Sequence, residues 1–222
     1  MSVDATQVVL FDLDGTLVDS APDLAGAVNE LRAAHGLVAM PLGELRPLVG
    51  SGARGMVGAA FGVAPGDTRY TALRDGFLEL YAARLLHLTV VFAAIEPVLR
   101  RIEHASMRWG IVTNKALYLA EPIVAGTGLS LRAAVLIAGD STAHTKPHPA
   151  PLLEAARRIG VDPASCVYVG DDVRDMQAGR AAGMATLAAG WGYLGPDADP
   201  RDWPADAVLD APDGLLHWLR LP

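Results

Sequence analysis

Asp12, Asp14 and Asp19 fall within the ten residues FDLDGTLVDS, directly after the apolar run Val8–Phe11. Carboxylates crowded at the end of a buried strand repel one another unless a cation compensates them. Residues i and i+2 of an extended segment face the same way, so Asp12 and Asp14 are predicted to flank one reacting centre. With Asp171 of Gly170-Asp171-Asp172 they supply hard oxygen ligands suited to Mg2+, which usually takes one or two carboxylates plus substrate phosphate. Lys146 would add positive charge beside a phosphate, and the Thr113 hydroxyl a hydrogen bond. One aspartate can then attack phosphorus as a nucleophile. The other can protonate the leaving oxygen and later deprotonate a water.

Plainer roles compete with this chemistry. A calcium loop starting at Asp12 would put Leu17 where glycine belongs and Asp23 where glutamate belongs, so it fits poorly. Asp171, Asp172 and Asp175 stand where carboxylates cap a helix. For Asp172 capping is the expected role, and Asp175 is expected to brace Lys146 or a metal-bound water. Asn114 and Lys115 lie where a helix cap would also fall, and Lys115 stays open between a solvated and a functional role. His144 and His148 have the i, i+4 spacing of a zinc pair, but Pro147 and Pro149 forbid a continuous helix, so both are expected in a loop. Cys166, the single cysteine, lies in the apolar run Cys166–Val169 and reads as a buried thiol.

These residues need a frame that gathers them. Runs at Val8–Phe11, Trp109–Thr113, Ala134–Ala138, Cys166–Gly170 and Met184–Ala188, with a weaker one at Ala207–Leu209, are nearly continuously apolar, as strands covered on both faces would be. Ile95, Val98, Leu99 and Ile102 have helical spacing, as do Leu152, Leu153, Ala156 and Ile159, the second set opened by prolines and closed by Gly160. Strand–helix alternation over 90–222 predicts a doubly wound α/β core with a parallel sheet. In such sheets ligands bind outside the carboxyl ends of the strands, where Asp12, Asp14, Thr113, Asn114 and Asp171 all fall. Residues 20–88 break the alternation with helical patterns at Pro22–His35, Gly43–Phe61 and Asp67–His87. The expected organisation is therefore a core of 1–19 and 89–222 with an inserted small α-helical cap domain at 20–88. Gly192–Pro204 reads as a surface loop.

Composition narrows the partners. Of 222 residues 51% are apolar, and 18 lysines and arginines against 25 acids give a net charge of −7. That balance argues against a nucleic-acid partner and gives no reason for adhesion to anionic lipid. No apolar run approaches the roughly 20 residues that cross a bilayer. MSVDATQ lacks the basic and apolar regions of a secretion signal, and a lone cysteine fits a reducing compartment, so a cytoplasmic location is expected. A monomer and a homodimer both remain open. Only two residues, Lys115 and Lys146, are lysine, against 16 arginines.

DLDGT at 12–16, Thr113 at a strand end, Lys146 in KPHPAPL and GDDVRD at 170–175 resemble, in order, the four motifs of the haloacid dehalogenase-like hydrolase superfamily. The resemblance implies Mg2+-dependent phosphoryl transfer through an aspartyl-phosphate, with a small-molecule phosphate ester as substrate. It implies Asp12 as nucleophile, Asp14 as acid/base with its backbone carbonyl on the metal, Thr113 and Lys146 on phosphate, and Asp171 as the remaining carboxylate ligand. Dehalogenases lack the second aspartate, and phosphonoacetaldehyde hydrolases use a cap lysine that 20–88 does not contain, which leaves phosphatases and sugar phosphomutases. PLVGSGARGMV resembles the cap segment of phosphoglycolate phosphatases. SGARGMV, WGIVTNKALYLAEPI and WGYLGPDADPRDW resemble bacterial N-acetylmuramic acid 6-phosphate phosphatases, with WPAD where WGAD is expected. Asn114, Ser51, Gly52 and Arg54 are the predicted substrate-binding residues. Arg54 is suited to grip a carboxylate bidentately, with a surface arginine on a cap helix as the competing role.

Overall fold

The computed structural model describes residues 6–221; Met1–Ala5, where most of the leader argument falls, lie outside them. The chain enters through β1 (Val8–Phe11) and a short β2 (Val18–Asp19), then runs into α1 (Ala21–Ala34), α2 (Leu42–Leu45), α3 (Gly52–Phe61) and α4 (Tyr70–Ala82). It returns at β3 (Val90–Val91) and continues as α5 (Ile95–His104), β4 (Arg108–Val112), α6 (Leu117–Gly126), β5 (Leu136–Ile137) and α7 (Ala150–Ile159). The last elements are β6 (Cys166–Gly170), α8 (Val173–Ala181), β7 (Ala185–Ala189), β8 (Ala207–Leu209) and α9 (Gly214–Trp218).

Six strands form one parallel sheet in the order β5-β4-β1-β6-β7-β8. Alternate residues of each strand feed opposite faces. Val9, Phe11, Trp109, Ile111, Val167 and Val169 join the apolar cluster that includes α5 and α6. Val8, Leu10, Val112, Cys166 and Tyr168 join the one that includes α7 and α8. Both faces are covered, which is why the strands read as unbroken apolar runs. Trp109, 1% exposed, meets Phe11 edge-on and donates from Nε1 to Glu103.

The fold departs from the sequence expectations in four places. The helix expected over Gly43–Phe61 is broken: a 3-10 turn at Arg46–Ser51 separates α2 from α3, with Pro47 in its first turn and Gly52 at φ +62. Proline lacks the amide and crowds the preceding turn, while glycine alone adopts that φ without strain. The helix expected to reach His87 stops at Ala82. The antiparallel pair β2–β3 carried no sequence signal, being two residues per strand. Finally, the tail at Gly192–Pro204 is not all surface, because Tyr193 and Pro200 are buried.

β2 and β3 hold together the points where the chain leaves the sheet and comes back. Asp23, 0% exposed, ties the same junction from the first turn of α1. Its Oδ2 accepts from the Leu88 amide (2.8 Å), the Thr89 amide (2.7 Å) and the Thr89 hydroxyl (2.8 Å), and Arg84 stands 3.5 Å from Oδ1. Asp23→Ala would strand buried donors and an arginine, so a loss of about 3 kcal/mol is expected. Urea unfolding checks this through a lowered midpoint at constant slope. A change below about 0.5 kcal/mol, the usual size for a surface substitution, would refute the role.

Candidate active site

At the carboxyl edge of the sheet, roofed by the helices of 21–82, lies a cavity of about 380 Å³. Its floor comes from strand ends: Asp12 and Asp14 follow β1, Thr113 and Asn114 follow β4, and Asp171 and Asp172 follow β6. Its roof includes Leu24 of α1, Val49 to Ala53, and Phe77, Leu78 and Tyr81 of α4. Five carboxylates, Asp12, Asp14, Asp171, Asp172 and Asp175, and three cations, Lys115, Lys146 and Arg174, line it.

Lys146, 3% exposed, is the hub. Its ammonium reaches Asp12 Oδ1 at 3.0 Å, Asp175 Oδ1 at 2.7 Å, the Tyr168 hydroxyl at 2.8 Å and the Val112 carbonyl at 3.1 Å. Burial works to remove its proton, but the charges of Asp12 and Asp175 outweigh it and hold the amine above its usual value. Burial pushes Asp175 up to about 7, helped by Asp12 and opposed by Lys146. Asn114 serves this hub too: its amide donates to the Lys146 carbonyl (3.0 Å) and accepts from the Lys146 N–H (2.9 Å). It caps no helix, since Ala116 precedes α6.

Asp171, 5% exposed, accepts from the Thr16 hydroxyl (2.9 Å) and the Tyr193 amide (2.8 Å). Burial first, then the Asp12 and Asp175 charges, raise it well above the carboxylate range. Gly15, at φ +81, allows this approach, since a Cβ there would stand 2.1 Å from Asp171 Oδ2. Asp12, Asp171 and Asp175 each offer an oxygen within 4.8 Å of the others. An all-oxygen group of this kind, three carboxylates with Lys146 as their close cation, fits a hard divalent cation.

The Asp14 carboxylate is not in that group. It is drawn aside by Lys115 Nζ at 2.9 Å on Oδ2 and by the Ser20 hydroxyl on Oδ1. Lys115 is therefore not a solvated residue: its side chain is 7% exposed, and its ammonium lies 4.6 Å from the centre of the Tyr81 ring. Asp14, before other charges, holds the amine above its usual value against burial. Burial pushes the Tyr81 phenol up to about 12.

The other predicted residues divide. Thr113, 3% exposed, accepts from the Lys115 amide at 3.2 Å. Asp172 caps α8 with Asp175 in a reciprocal capping box, and hydrogen bonds from Arg174 hold it low despite burial. Ser51 and Gly52 line the cavity. Arg54 does not: it is exposed on α3 and absent from the lining. The arginine that does line the cavity is Arg174, whose guanidinium binds both oxygens of Asp172 (2.7 Å each) and the carbonyl of Gly50 in the roof. His144 and His148 are exposed in a loop with ring centres 4.2 Å apart. Cys166 is buried, which raises its thiol to about 11.

Tyr193 was not singled out in the sequence. Its hydroxyl accepts from the Ser20 (2.8 Å) and Ala21 (3.0 Å) amides and donates to Asp19 (3.1 Å), while its own amide holds Asp171. Arg46 closes the arrangement by pairing with Asp19 at 2.8 Å and covering the Tyr193 ring at 5.5 Å. A tyrosine in a loop rich in glycine, proline and aspartate carries no local sign of such a role.

The model of the haloacid dehalogenase-like hydrolases matches residues 6–183. A phosphoglycolate phosphatase of Xanthomonas campestris is 49% identical over 209 residues, 94% of each chain. An N-acetylmuramic acid 6-phosphate phosphatase of Pseudomonas aeruginosa is 41% identical over 213 residues, covering 96% of this chain and 94% of its own. Among solved structures, a predicted phosphoglycolate phosphatase of Haemophilus somnus superposes with a TM-score of 0.81 at 25% identity, over 95% of this chain and 97% of that one.

Tyr193→Phe keeps the amide on Asp171 and removes only the hydroxyl. The Ser20 and Ala21 amides then lose their acceptor, and a loss of about 2 kcal/mol is expected. Hydrogen exchange should rise first at those two amides. Unchanged protection at both would exclude the hydroxyl as their tie.

Proposed function

The chain belongs to the haloacid dehalogenase-like hydrolase family, and from that premise we propose that it is a Mg2+-dependent phosphatase hydrolysing a small phosphomonoester through an aspartyl-phosphate on Asp12. What carries the reading is the gathering of Asp12, Asp14, Thr113 and Lys146 in one cavity with Asp171, from distant parts of the chain. Asp12 is fixed for attack, its Oδ1 held by the Leu13 amide at 2.7 Å and by Lys146. A carboxylate oxygen of Asp12 bonds to phosphorus as the ester oxygen departs with a proton from Asp14. Asp14 then takes a proton from water, the water oxygen attacks phosphorus, and inorganic phosphate leaves with Asp12 restored. Lys146 and the Thr113 hydroxyl, which accepts from the protein and keeps its hydrogen for a phosphate oxygen, counter the charge on the transferring group.

Asp12 and Asp171, with the Asp14 backbone carbonyl, would hold Mg2+, and Asp175 would orient Lys146 or a water of the metal. The metal would supply charge neutralisation between five carboxylates and a phosphate. The segment 20–88 would act as the cap, its helices excluding bulk water. The substrate is proposed to be 2-phosphoglycolate, by likeness to the Xanthomonas relative. A second reading, N-acetylmuramic acid 6-phosphate, is favoured by the cavity of about 380 Å³, within the ~300–1,000 Å³ of pockets for drug-sized ligands and roomy for a two-carbon leaving group. No helix among the described residues is long and apolar enough to cross a membrane, which accords with a proposed place in the cytoplasm.

Phosphate release from both esters, assayed with and without EDTA, tests this: turnover should vanish with EDTA and return with excess Mg2+. Release from neither ester would sink the substrate assignment, and release undiminished by EDTA the metal. Asp12→Asn should lower turnover by at least about 10³-fold while the circular dichroism spectrum stays unchanged. Near-wild-type turnover there would remove the aspartyl-phosphate route. Saturating Mg2+, at about 100 times its Kd, should also add about 2.7 kcal/mol to stability. Asp171→Asn should abolish that gain, measured as a Tm shift.

A further inference from the structure

Tyr81 is 1% exposed, lines the cavity from α4, and has the one buried side-chain polar atom without a hydrogen-bond partner among the described residues. A buried hydroxyl left unpaired is costly, so it calls for an explanation. The ring is not free to turn away: Phe77, one helical turn earlier, stacks parallel to it at 6.3 Å, and Lys115 covers it at 4.6 Å. The neighbourhood offers the phenol proton nothing to bind. Lys115 is a donor only, so it can serve the phenol oxygen but not its proton, and among the described residues no acceptor lies within hydrogen-bond reach of that hydroxyl. The acceptor that completes Tyr81 must come from whatever fills the cavity.

We propose that Tyr81 is a substrate-contacting, specificity-determining residue, whose hydroxyl donates to an oxygen carried by the leaving group next to the ester carbon. The placement rests on the preceding reading, in which Asp14 protonates the departing oxygen: Lys115 links Asp14 to the Tyr81 ring, so the leaving group emerges on the side where Tyr81 waits. Esters carrying a carboxylate, hydroxyl or ring oxygen at that position satisfy the hydroxyl; a plain alkyl phosphate leaves it unpaired. A site built to bind an oxygen discriminates against an analogue lacking it because its own polar group is then stranded. Tyr81 comes from the helical insert, so this selection is exerted by the roof of the cavity and not by the strand ends.

The test compares Tyr81→Phe with wild type on 2-phosphoglycolate, N-acetylmuramic acid 6-phosphate and ethyl phosphate. For whichever of the first two the wild type hydrolyses, kcat/KM should fall about tenfold or more. For ethyl phosphate it should stay within about threefold, and Tm should hold because no protein acceptor of the phenol proton is lost. Equal losses on both kinds of ester, or no loss on either, overturn the assignment while leaving the phosphatase reading standing. A lowered Tm with equal losses would mark the hydroxyl as structural and overturn it as well. If the wild type releases phosphate from none of the three, the substrate assignment fails and the role of Tyr81 fails with it.

Discussion

The constraint on which this molecule is organised is the burial of carboxylates beside one another at the end of a parallel sheet. Asp171 and Asp175 are nearly inaccessible, and with Asp12 they stand close enough to share one ion. Nothing in an apolar sheet offsets that repulsion. The offset comes from Lys146, enclosed among Asp12, Asp175, Tyr168 and the Val112 carbonyl. Five carboxylates against three cations still leave a lining with a formal charge of −2, the balance that one divalent cation would neutralise.

The same edge is where the chain departs for its helical insert and returns. Asp19 sits in β2, and its carboxylate joins Arg46 of the insert to Tyr193 of the core. Because Tyr193 also holds Asp171 through its backbone, one residue touches both the junction and the acidic group. Arg174 makes a second tie, from the cap of α8 to the Gly50 carbonyl. A Cβ at Gly50 would approach Asp172 to 3.1 Å, so the roof lies close on the floor at this point. The contacts that join roof to floor and those that hold the acidic group therefore share residues.

How much of this was legible in the sequence follows from what each signal measures. Strands buried on both faces are apolar throughout, and Val8–Phe11, Cys166–Gly170 and Ala207–Leu209 have the expected bounds. Residues at the strand ends converge because a parallel sheet puts its carboxyl ends on one edge, so Asp12, Thr113 and Asp171 were readable. The β2–β3 pair is too short for any periodicity, and the break at Pro47 lies inside a stretch whose apolar spacing continues across it. Arg54 reads as a ligand-gripping residue because it follows the glycines of the loop, yet it is exposed on α3 and outside the cavity lining, and nothing local in the sequence points to Arg174. Asp14 and Asp12 do share a face, but spacing has no means of anticipating that Lys115 and Ser20 would draw one carboxylate away from the other.

The bias toward arginine now has a physical counterpart. Both lysines of the chain line one cavity, each beside an aspartate that follows β1. Lys146 meets four oxygens between 2.7 and 3.1 Å around a single nitrogen. A compact ammonium with three rotatable donors suits that convergence, whereas a guanidinium spreads its donors over a planar fork and needs a wider space. Where this chain binds with a fork, as Arg174 does on Asp172, two nitrogens meet the two oxygens of one carboxylate and the side chain stays partly open. Lysine thus stands where the cation is enclosed, and arginine where part of the side chain stays open, as in Arg174 and Arg132.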